Sequence, residues 1–371
     1  MSREKENVKQ MRVCVYRGLS SLVKRSGVGQ AMRHQEAMLD HLGAERIEKL
    51  SEPFDVLHLN TVFPESVAAG LLARSRGARV VYFGHSTEED FRDSWVGANA
   101  VAPLFGAWLR VAYSVGHVVV TPTPYSRRII SRYGTGRPVH ALSNGVDTDY
   151  FSGDRDARAR FRRRYGLTSD QPVAMSVGHL MVRKGLLDFV ALARRMPDVQ
   201  FYWFGTAPRV SMPRVVREAV DTAPDNCHFV GFVPREEVRD AYAGADLFVF
   251  LSHEETEGIV VLEALASRIP VLLRDIPVYE EWLADGVAVY KASGLDGADG
   301  FEMRARGVLE GRLPDLAGAG RAMIEGSDLR RVARDLAAVY TADWSPRPSD
   351  AAALGLGCGT TPQVAAPTLA S

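Results

Sequence analysis

Short apolar runs alternate with longer segments of helical periodicity along the first half of the chain. Apolar runs of strand length lie at residues 11–17, 56–60, 78–85, 116–123 and 138–145. Helix-length segments separate them, and the clearest helical pattern extends from Gln30 to about Leu42. Apolar strands that alternate with helices are typical of a parallel sheet covered on both faces. The pattern therefore predicts a doubly wound α/β domain.

A second series of the same kind predicts a second doubly wound domain. Its apolar runs lie at residues 173–179, 201–205, 228–232, 246–252, 269–275 and 286–292. Between the two series, residues 151–166 are rich in arginine and precede a Thr-Ser-Asp-Gln-Pro segment. We place the interdomain linker there, which gives Rossmann-like domains over residues 11–167 and 168–327. Ligands of open parallel sheets bind beyond the carboxyl ends of the strands, so we expect the chemistry in a cleft between the domains.

The two ends of the chain differ from this pattern. Residues 328–344 contain an amphipathic helix that we expect can cross back to the first domain. Residues 1–10 are polar, and residues 345–371 are rich in Ala, Gly, Pro and Thr without periodicity. Both terminal segments are expected to be disordered.

Composition and charge narrow the class of protein. The 371 residues are 46% hydrophobic and 24% charged, an ordinary soluble mixture. Lys plus Arg and Asp plus Glu are 45 each, so a globally basic nucleic-acid binder is not indicated. The three cysteines lie far apart and predict neither a disulfide framework nor a metal knuckle. We expect neither a signal peptide nor a membrane-spanning helix, because the apolar stretches are too short or interrupted.

The net charge of zero conceals two oppositely charged halves. Residues 1–167 carry 25 positive and 17 negative side chains, and residues 168–371 carry 20 and 28. A basic first half suits an anionic surface or a phosphorylated ligand, whereas the alternative is two domains with complementary surfaces.

The segment after the run at 246–252 is the most informative. It reads Glu-Glu-Thr-Glu-Gly-Ile-Val-Val-Leu-Glu-Ala from residue 254 to residue 264. A helix that begins near Glu257 or Gly258 would point free backbone N–H groups into the cleft, where they favour a phosphate. Glu255 and Glu263 could each accept hydrogen bonds from vicinal hydroxyls, one pair on a sugar and one on a ribose. The alternative for Glu255 is an acidic helix N-terminus favoured by the helix dipole.

A basic turn follows the run at 173–179. It reads Gly-His-Leu-Met-Val-Arg-Lys-Gly over residues 178–185. Arg183 or Lys184 would stabilise the negative charge that a leaving nucleotide gains as its bond to the sugar breaks. The alternative is a solvated basic turn before a helix.

Three sets of residues resemble those of one enzyme family. They are Asn-Gly-Val-Asp at 144–147, Gly-x-Leu-x-x-x-Lys-Gly at 178–185, and the pair Glu255 and Glu263 with seven residues between them. Their order and spacing resemble the retaining family 4 glycosyltransferases of GT-B fold. Residues 84–99, 121–128, 254–267 and 274–283 resemble the bacterial enzymes that extend glucosyl-diacylglycerol.

The resemblance implies roles for individual side chains. Glu263 matches the glutamate at the ribose hydroxyls, Glu255 the one near the donor sugar, and Lys184 the lysine at the donor phosphates. His179 stands where the family has an arginine, so we expect Arg183 to take that role. His85 aligns with the histidine that contacts the transferred sugar.

The resemblance also implies donor contacts through the backbone. Glycines of the Gly27 and Gly29 loop and Gly178 would approach the donor phosphates. The backbone around Phe232 would receive the base. The helix start formed by Thr256, Glu257, Gly258 and Ile259 would bind the diphosphate.

The implied reaction is glycosyl transfer from UDP-glucose or UDP-galactose with retention of configuration. No Asp-x-Asp motif occurs in a suitable loop, so we expect no metal and no further cofactor. Because no carboxylate is clearly placed as a nucleophile, we favour a front-face route. In this route the departing phosphate helps to deprotonate the acceptor hydroxyl.

A segment of the first domain, where we expect the acceptor to bind, predicts contact with a membrane. Residues 94–126 carry one formal charge, Arg110, and a helical apolar face of Val101, Leu104, Phe105, Trp108, Ala112 and Val115. Trp95 lies nearby, and Arg127 and Arg128 follow. We expect this face to lie on an anionic bilayer, on the cytoplasmic side of the cell membrane, although it also suits a helix packed on its own sheet.

Two other functions remain open on the sequence. One is transfer to a soluble or polyprenyl-linked glycan. The other is a nucleotide-sugar-binding protein without catalysis. An oxidoreductase is disfavoured because no Gly-x-Gly-x-x-Gly with a following acidic residue occurs.

Overall fold

The computed structural model describes residues 11–19, 26–92, 94 and 97–342. The predictions for residues 1–10 and 345–371 lie outside the described residues, as does Trp95.

The first half of the chain forms a parallel six-stranded sheet. Its strands are β1 (Arg12–Val15), β2 (Glu45–Ile47), β3 (Val56–Leu59), β4 (Arg79–Phe83), β5 (Val118–Thr121) and β6 (Val139–Ala141). Its helices are α1 (Gly27–Leu42), α2 (Pro64–Ser75), α3 (Glu88–Phe91), α4 (Ala98–Ser114) and α5 (Pro124–Arg132). The strand order is β2-β1-β3-β4-β5-β6, with every pair parallel.

The second half forms another parallel six-stranded sheet. Two helices lead into it, α6 (Thr148–Phe151) and α7 (Ala157–Arg164). The strands are β7 (Val173–Val177), β8 (Gln200–Phe204), β9 (Cys227–Gly231), β10 (Leu247–Phe250), β11 (Val271–Arg274) and β12 (Tyr290–Ala292). The helices that follow are α8 (Leu186–Arg195), α9 (Arg214–Asp221), α10 (Arg235–Gly244), α11 (Ile259–Ala266), α12 (Phe301–Leu309), α13 (Ala317–Met323) and α14 (Leu329–Thr341).

The strand order of the second sheet determines where its loops meet. The order is β12-β11-β10-β7-β8-β9, so β7 and β10 are neighbours although 69 residues separate their ends. Connections leave these two strands in opposite directions, which opens a crevice beyond their carboxyl ends. The basic turn at 178–185 and the acidic loop at 251–258 therefore lie side by side.

Two segments pack with the half of the chain that lies on the other side of residue 167. Phe151 and Phe161 are buried in one core cluster with Val173 and Phe248 of the second sheet. Helices α6 and α7 thus belong to the core of the second half, although the predicted boundary assigns them to the first. Helix α14 returns in the other direction and packs against α1.

The predicted α/β fold with two doubly wound domains is confirmed, with one strand that the pattern does not reveal. Strand β2 has three residues, of which Glu45 and Arg46 are exposed. A short charged strand at a sheet edge has neither the length nor the apolar character that identifies a strand in a sequence. Among the described residues, no helix is both long and apolar enough to cross a membrane.

Gly185 provides a test of how the basic turn is held. Its φ is +76°, and a Cβ there would lie 2.1 Å from the carbonyl oxygen of Leu251, at the end of β10. We expect Gly185→Ala to lower the free energy of unfolding by about 2 kcal/mol or more beyond the cost of the left-handed backbone. Gly286→Ala is the control, because its φ is +71° and a Cβ there meets open space. Equal losses in urea denaturation would contradict this close approach.

Candidate active site

A cavity of about 360 Å³ lies between the two sheets and is lined by residues from both halves of the chain. Its walls contain the predicted residues Gly27, His85, Gly178, Arg183, Lys184, Phe232, Glu255, Thr256, Gly258, Ile259 and Glu263. Residues that are more than 200 positions apart in the sequence thus share one space.

Helix α11 directs its N-terminus toward this cavity. Gly258 precedes its first residue with a φ of +84°, and a Cβ there would lie 2.9 Å from the Tyr279 hydroxyl. A glycine is therefore required both by the backbone and by the space. The unpaired N–H groups of the first turn provide a site that favours an anion.

Lys184 and Glu255 form an ion pair inside the cavity, in which Glu255 is buried and the Lys184 side chain is 16% exposed. The Lys184 ammonium donates to Oε1 of Glu255, which also accepts from Ser252 Oγ at 2.7 Å. Burial acts to raise the pKa of Glu255, but Lys184, Arg183 and these hydrogen bonds outweigh it and lower the pKa. Glu255 is therefore a carboxylate at neutral pH, and its charge offsets that of Lys184.

Arg183 is held by the first half of the chain. Its Nη1 lies 2.6 Å from Oδ1 of Asp90, and its Nε donates to Ser94 Oγ at 3.2 Å. Nη1 also donates to the carbonyl oxygen of Glu254 at 2.9 Å. The guanidinium that we expected to face the diphosphate thus bridges the two halves, and an incoming phosphate would share it with Asp90.

Glu263 projects from α11 into the cavity. Its Oε2 accepts from the Tyr242 hydroxyl at 3.2 Å. Burial raises its pKa to about 7, although Arg235, Tyr242 and Arg33 act in the opposite direction. Carboxyl groups with such a pKa change protonation state near neutral pH, which is unusual for a glutamate.

His85 lies at the end of β4 on the opposite wall. Its Nε2 is 2.9 Å from Oδ1 of Asn60, at the end of β3. Burial lowers the pKa of His85 to about 4, so the imidazole is neutral near pH 7.

The far end of the cavity is aromatic and basic. Phe232 is 54% exposed although it lines the cavity. The guanidinium of Arg235 lies 4.0 Å from the centre of the Tyr150 ring. This end offers stacking surfaces and hydrogen-bond donors of the kind that suit a nucleobase.

Gly29 and Glu257 are predicted site residues that the structure does not place in the cavity wall. Gly29 is buried within α1. Glu257 points to the first half of the chain, where its Oε2 accepts from the backbone N of Asn144 at 3.0 Å and from Nδ2 at 2.8 Å. The side chain of Glu257 therefore joins the two halves beside the cavity.

The predicted apolar face of α4 is divided between core and surface. Phe105 stacks on Phe91 with ring centres 4.1 Å apart, and Trp108 Nε1 donates to the carbonyl oxygen of Val62 at 2.6 Å. Both aromatic side chains are half-buried, so part of each packs on the protein and part remains at the surface. Leu104 is 74% exposed. Arg127 is exposed, whereas Arg128 forms an ion pair with Glu281 of the second half.

Several side chains at the site are not among the predicted ones. They are Asn60, Asp90, Arg33, Arg235, Tyr242 and Ser252. Asn60 and Ser252 are polar residues directly after apolar strands, which is a usable sequence signal. The others lie within helices, and no local pattern reveals which of their faces meets the cavity.

Comparisons with known proteins cover both halves. The family model described as Glycosyltransferase Family 4 matches residues 21–150, and the one described as Glycosyl transferases group 1 matches residues 157–296. A processive diacylglycerol alpha-glucosyltransferase of Acholeplasma laidlawii is 37% identical over 79% of this chain and 86% of its own length. An alpha-galactosylglucosyldiacylglycerol synthase of Streptococcus pneumoniae is 26% identical over 70% of this chain and 72% of its own.

The fold has counterparts among solved structures. The crystal structure of Anabaena HepE in complex with UDP-glucose superposes with a TM-score of 0.69 at 15% identity, over 89% of this chain and 99% of that chain. Together with the two facing parallel sheets and the shared cleft, these similarities show that the chain belongs to the GT-B glycosyltransferases of family 4.

Proposed function

We propose that the protein transfers glucose or galactose from a UDP-sugar to glucosyl-diacylglycerol, with retention of the anomeric configuration. The observation that carries this proposal is the single cavity in which Lys184, Glu255, Glu263 and His85 converge. The acceptor is supported by the relatives, whose names place them in diacylglycerol glycolipid synthesis. The donor is supported by the UDP-glucose complex of a protein with the same fold.

We propose one orientation for the donor in this cavity. Glu263 would accept the two ribose hydroxyls, with the base toward Phe232 and Arg235. The diphosphate would then lie against the N-terminus of α11 and Lys184, which supply fixed positive charge without a divalent cation. The transferred sugar would lie between Glu255 and His85, near the first half of the chain. Among the described residues, no group of three or more His, Cys, Asp and Glu side chains is arranged to hold a metal.

This placement supports the front-face route. The bond between the anomeric carbon and the diphosphate oxygen breaks, and Lys184 and the helix N-terminus stabilise the growing negative charge. The acceptor hydroxyl forms its bond on the same face and gives its proton to the departing phosphate. Glu255 holds the sugar hydroxyls, because its Lys184 partner fixes the carboxylate in its ionised form.

Membrane contact of the acceptor side is part of the proposal. Five large apolar side chains on α2 and α4 are 43% to 74% exposed, namely Leu71, Leu72, Val101, Leu104 and Val111. Together with the half-buried Phe105 and Trp108 they form the proposed contact with acyl chains. Arg110 is exposed on the same helix and suits an anionic headgroup.

The donor and acceptor are tested by incubating the protein with UDP-glucose, UDP-galactose and GDP-mannose against diacylglycerol, glucosyl-diacylglycerol and soluble or polyprenyl-linked glycans. We expect UDP release and an α-linked diglycosyl lipid, identified by mass spectrometry and anomeric NMR, with unchanged rate in EDTA. Lys184→Ala should lower kcat/KM about 100-fold or more, because it removes charge stabilisation of the leaving group.

Lys291→Ala is the matched control for this variant. Lys291 also forms an ion pair, with its Nζ 3.3 Å from Oδ1 of Asp275, and lies away from the cavity. Lys291→Ala should cost stability and leave the activity of the folded protein unchanged. Equal activities in the two variants would contradict the role of Lys184, and turnover of a glycan instead of the lipid would contradict the acceptor.

Donor binding should depend on pH through Glu263. With its pKa near 7, the carboxyl is protonated below that pH and accepts hydrogen bonds poorly. We expect the Kd for UDP, measured by calorimetry, to decrease several-fold from pH 6 to pH 8. Glu263→Gln should bind UDP weakly and without this pH dependence. An unchanged dependence in the variant would assign the titration to another group.

Membrane attachment is tested by flotation with vesicles. Wild-type protein should float with anionic vesicles more than with neutral ones. Leu104→Glu places a charge in the proposed apolar surface and should abolish flotation. Val210→Glu is the control, because Val210 is 92% exposed but lies in the second half of the chain. Equal flotation of both variants would contradict the proposed surface.

A further inference from the structure

A chain of five buried or cavity-lining polar side chains connects His85 to the C-terminal helix. It passes from His85 to Asn60, Gln35, His58 and Tyr340. Asn60 is 4% exposed, Gln35 is 3% and His58 is 0%. Such a network is costly unless every member is satisfied, so its hydrogen-bond directions are strongly constrained.

The direction can be followed from the Tyr340 end. The Tyr340 hydroxyl contacts Nε2 of His58, and no other partner for this hydroxyl occurs among the described residues. Because an unsatisfied buried O–H is costly, Tyr340 donates and Nε2 of His58 accepts. The proton of neutral His58 therefore lies on Nδ1, which donates to Oε1 of Gln35 at 3.3 Å.

The direction of donation at His58 fixes the orientation of the Gln35 and Asn60 amides. Since Oε1 of Gln35 faces His58, Asn60 Nδ2 donates to the same oxygen at 2.9 Å. Gln35 Nε2 in turn donates to Oδ1 of Asn60 at 2.7 Å. The ring nitrogen of His85 faces this same Oδ1, an acceptor, and must therefore be protonated.

We propose that Asn60 is a positioning residue that holds His85 as the Nε2–H tautomer and leaves Nδ1 as an acceptor for a hydroxyl of the transferred sugar. This inference rests on the proposed function, because it assigns a state to the histidine at the reaction centre. Tyr340, in the helix that returns from the second half of the chain, sets the tautomer from a distance.

A neutral acceptor at this position has a chemical purpose. Positive charge develops on the sugar ring as its bond to the diphosphate breaks, and an imidazolium beside it would oppose that charge. The charged side chains that line the cavity together with His85 are Asp90, Arg183, Lys184 and Glu255, which form two ion pairs, and Arg33, Arg235 and Glu263. The burial that keeps His85 neutral and the amide that orients it therefore act together.

Asn60→Leu removes the acceptor and approximates the shape of the side chain. We expect kcat with saturating donor to fall about 10- to 100-fold, with the donor KM changed less than about threefold, because the imidazole loses its orientation. Nitrogen-15 NMR of histidine-labelled protein should show the Nε2–H pattern for His85 in the wild type and a mixture of tautomers in the variant. The His85 signal is assigned by its absence in His85→Gln.

Asn226→Leu is the matched control. Asn226 is 8% exposed, and its Nδ2 donates to the carbonyl oxygens of Ala193, Met196 and Val199 in the second half of the chain. Its loss should lower stability as much as that of Asn60, with kcat and the His85 spectrum of the folded protein unchanged. Equal losses of kcat in both variants would show that Asn60→Leu acts only by lowering stability, and would overturn the inference.

Asn60→Asp provides a second readout in case the leucine variant does not fold. It restores an acceptor for His85 but adds a negative charge, which raises the pKa of His85 from about 4 to between about 5 and 7. Its kcat should approach the wild-type value at pH 8 and fall at least about twofold by pH 5, as His85 becomes protonated. Wild-type kcat should change less than twofold over this range.

The outcomes separate this inference from the proposed function. A wild-type protein that releases no UDP from any donor fails the proposed function. If the wild-type protein is active, two results would overturn the role of Asn60 alone. One is a kcat of Asn60→Asp that does not depend on pH, and the other is a wild-type His85 spectrum of the Nδ1–H type.

Discussion

The site depends on one topological constraint, the adjacency of β7 and β10 in the second sheet. Because these strands are neighbours whose connections leave in opposite directions, their loops share the crevice beyond their carboxyl ends. Lys184 comes from one loop and Glu255 from the other, and Glu255 would be an uncompensated buried charge without its partner. The ion pair is therefore a consequence of the strand order, and both of its side chains line the cavity.

The two halves of the chain are joined by polar side chains around the same cavity. Asp90 holds Arg183, and Asn144 holds Glu257. Tyr125 donates to Glu254, whose pKa burial raises to about 7. These contacts place charged groups of the second half under the influence of the first half, which carries His85. The geometry of the cavity thus depends on how the halves meet, in addition to the local structure of either one.

Much of the fold could be predicted because its signals are local. Among the described residues, apolar runs of strand length between helical segments identify eleven of the twelve strands, whereas the short, charged β2 gives no such signal. The site residues that could be predicted are those in loops directly after strands, such as Glu255 and Lys184. Asp90 and Arg235 could not be predicted, because the face of a helix that meets a distant loop is decided by packing between segments far apart in sequence.

The amino-acid sequence by itself determined that this protein has two parallel α/β sheets, a helix N-terminus suited to a diphosphate, and two glutamates suited to hydroxyls. Each of these features depends on periodicity or on residues within about ten positions of one another. Tertiary structure alone decided that Arg183 pairs with Asp90, that Trp108 donates to the carbonyl oxygen of Val62, and that a chain of hydrogen bonds connects Tyr340 to His85. These are contacts between distant segments, and their partners are selected by burial and hydrogen-bond satisfaction in the folded chain.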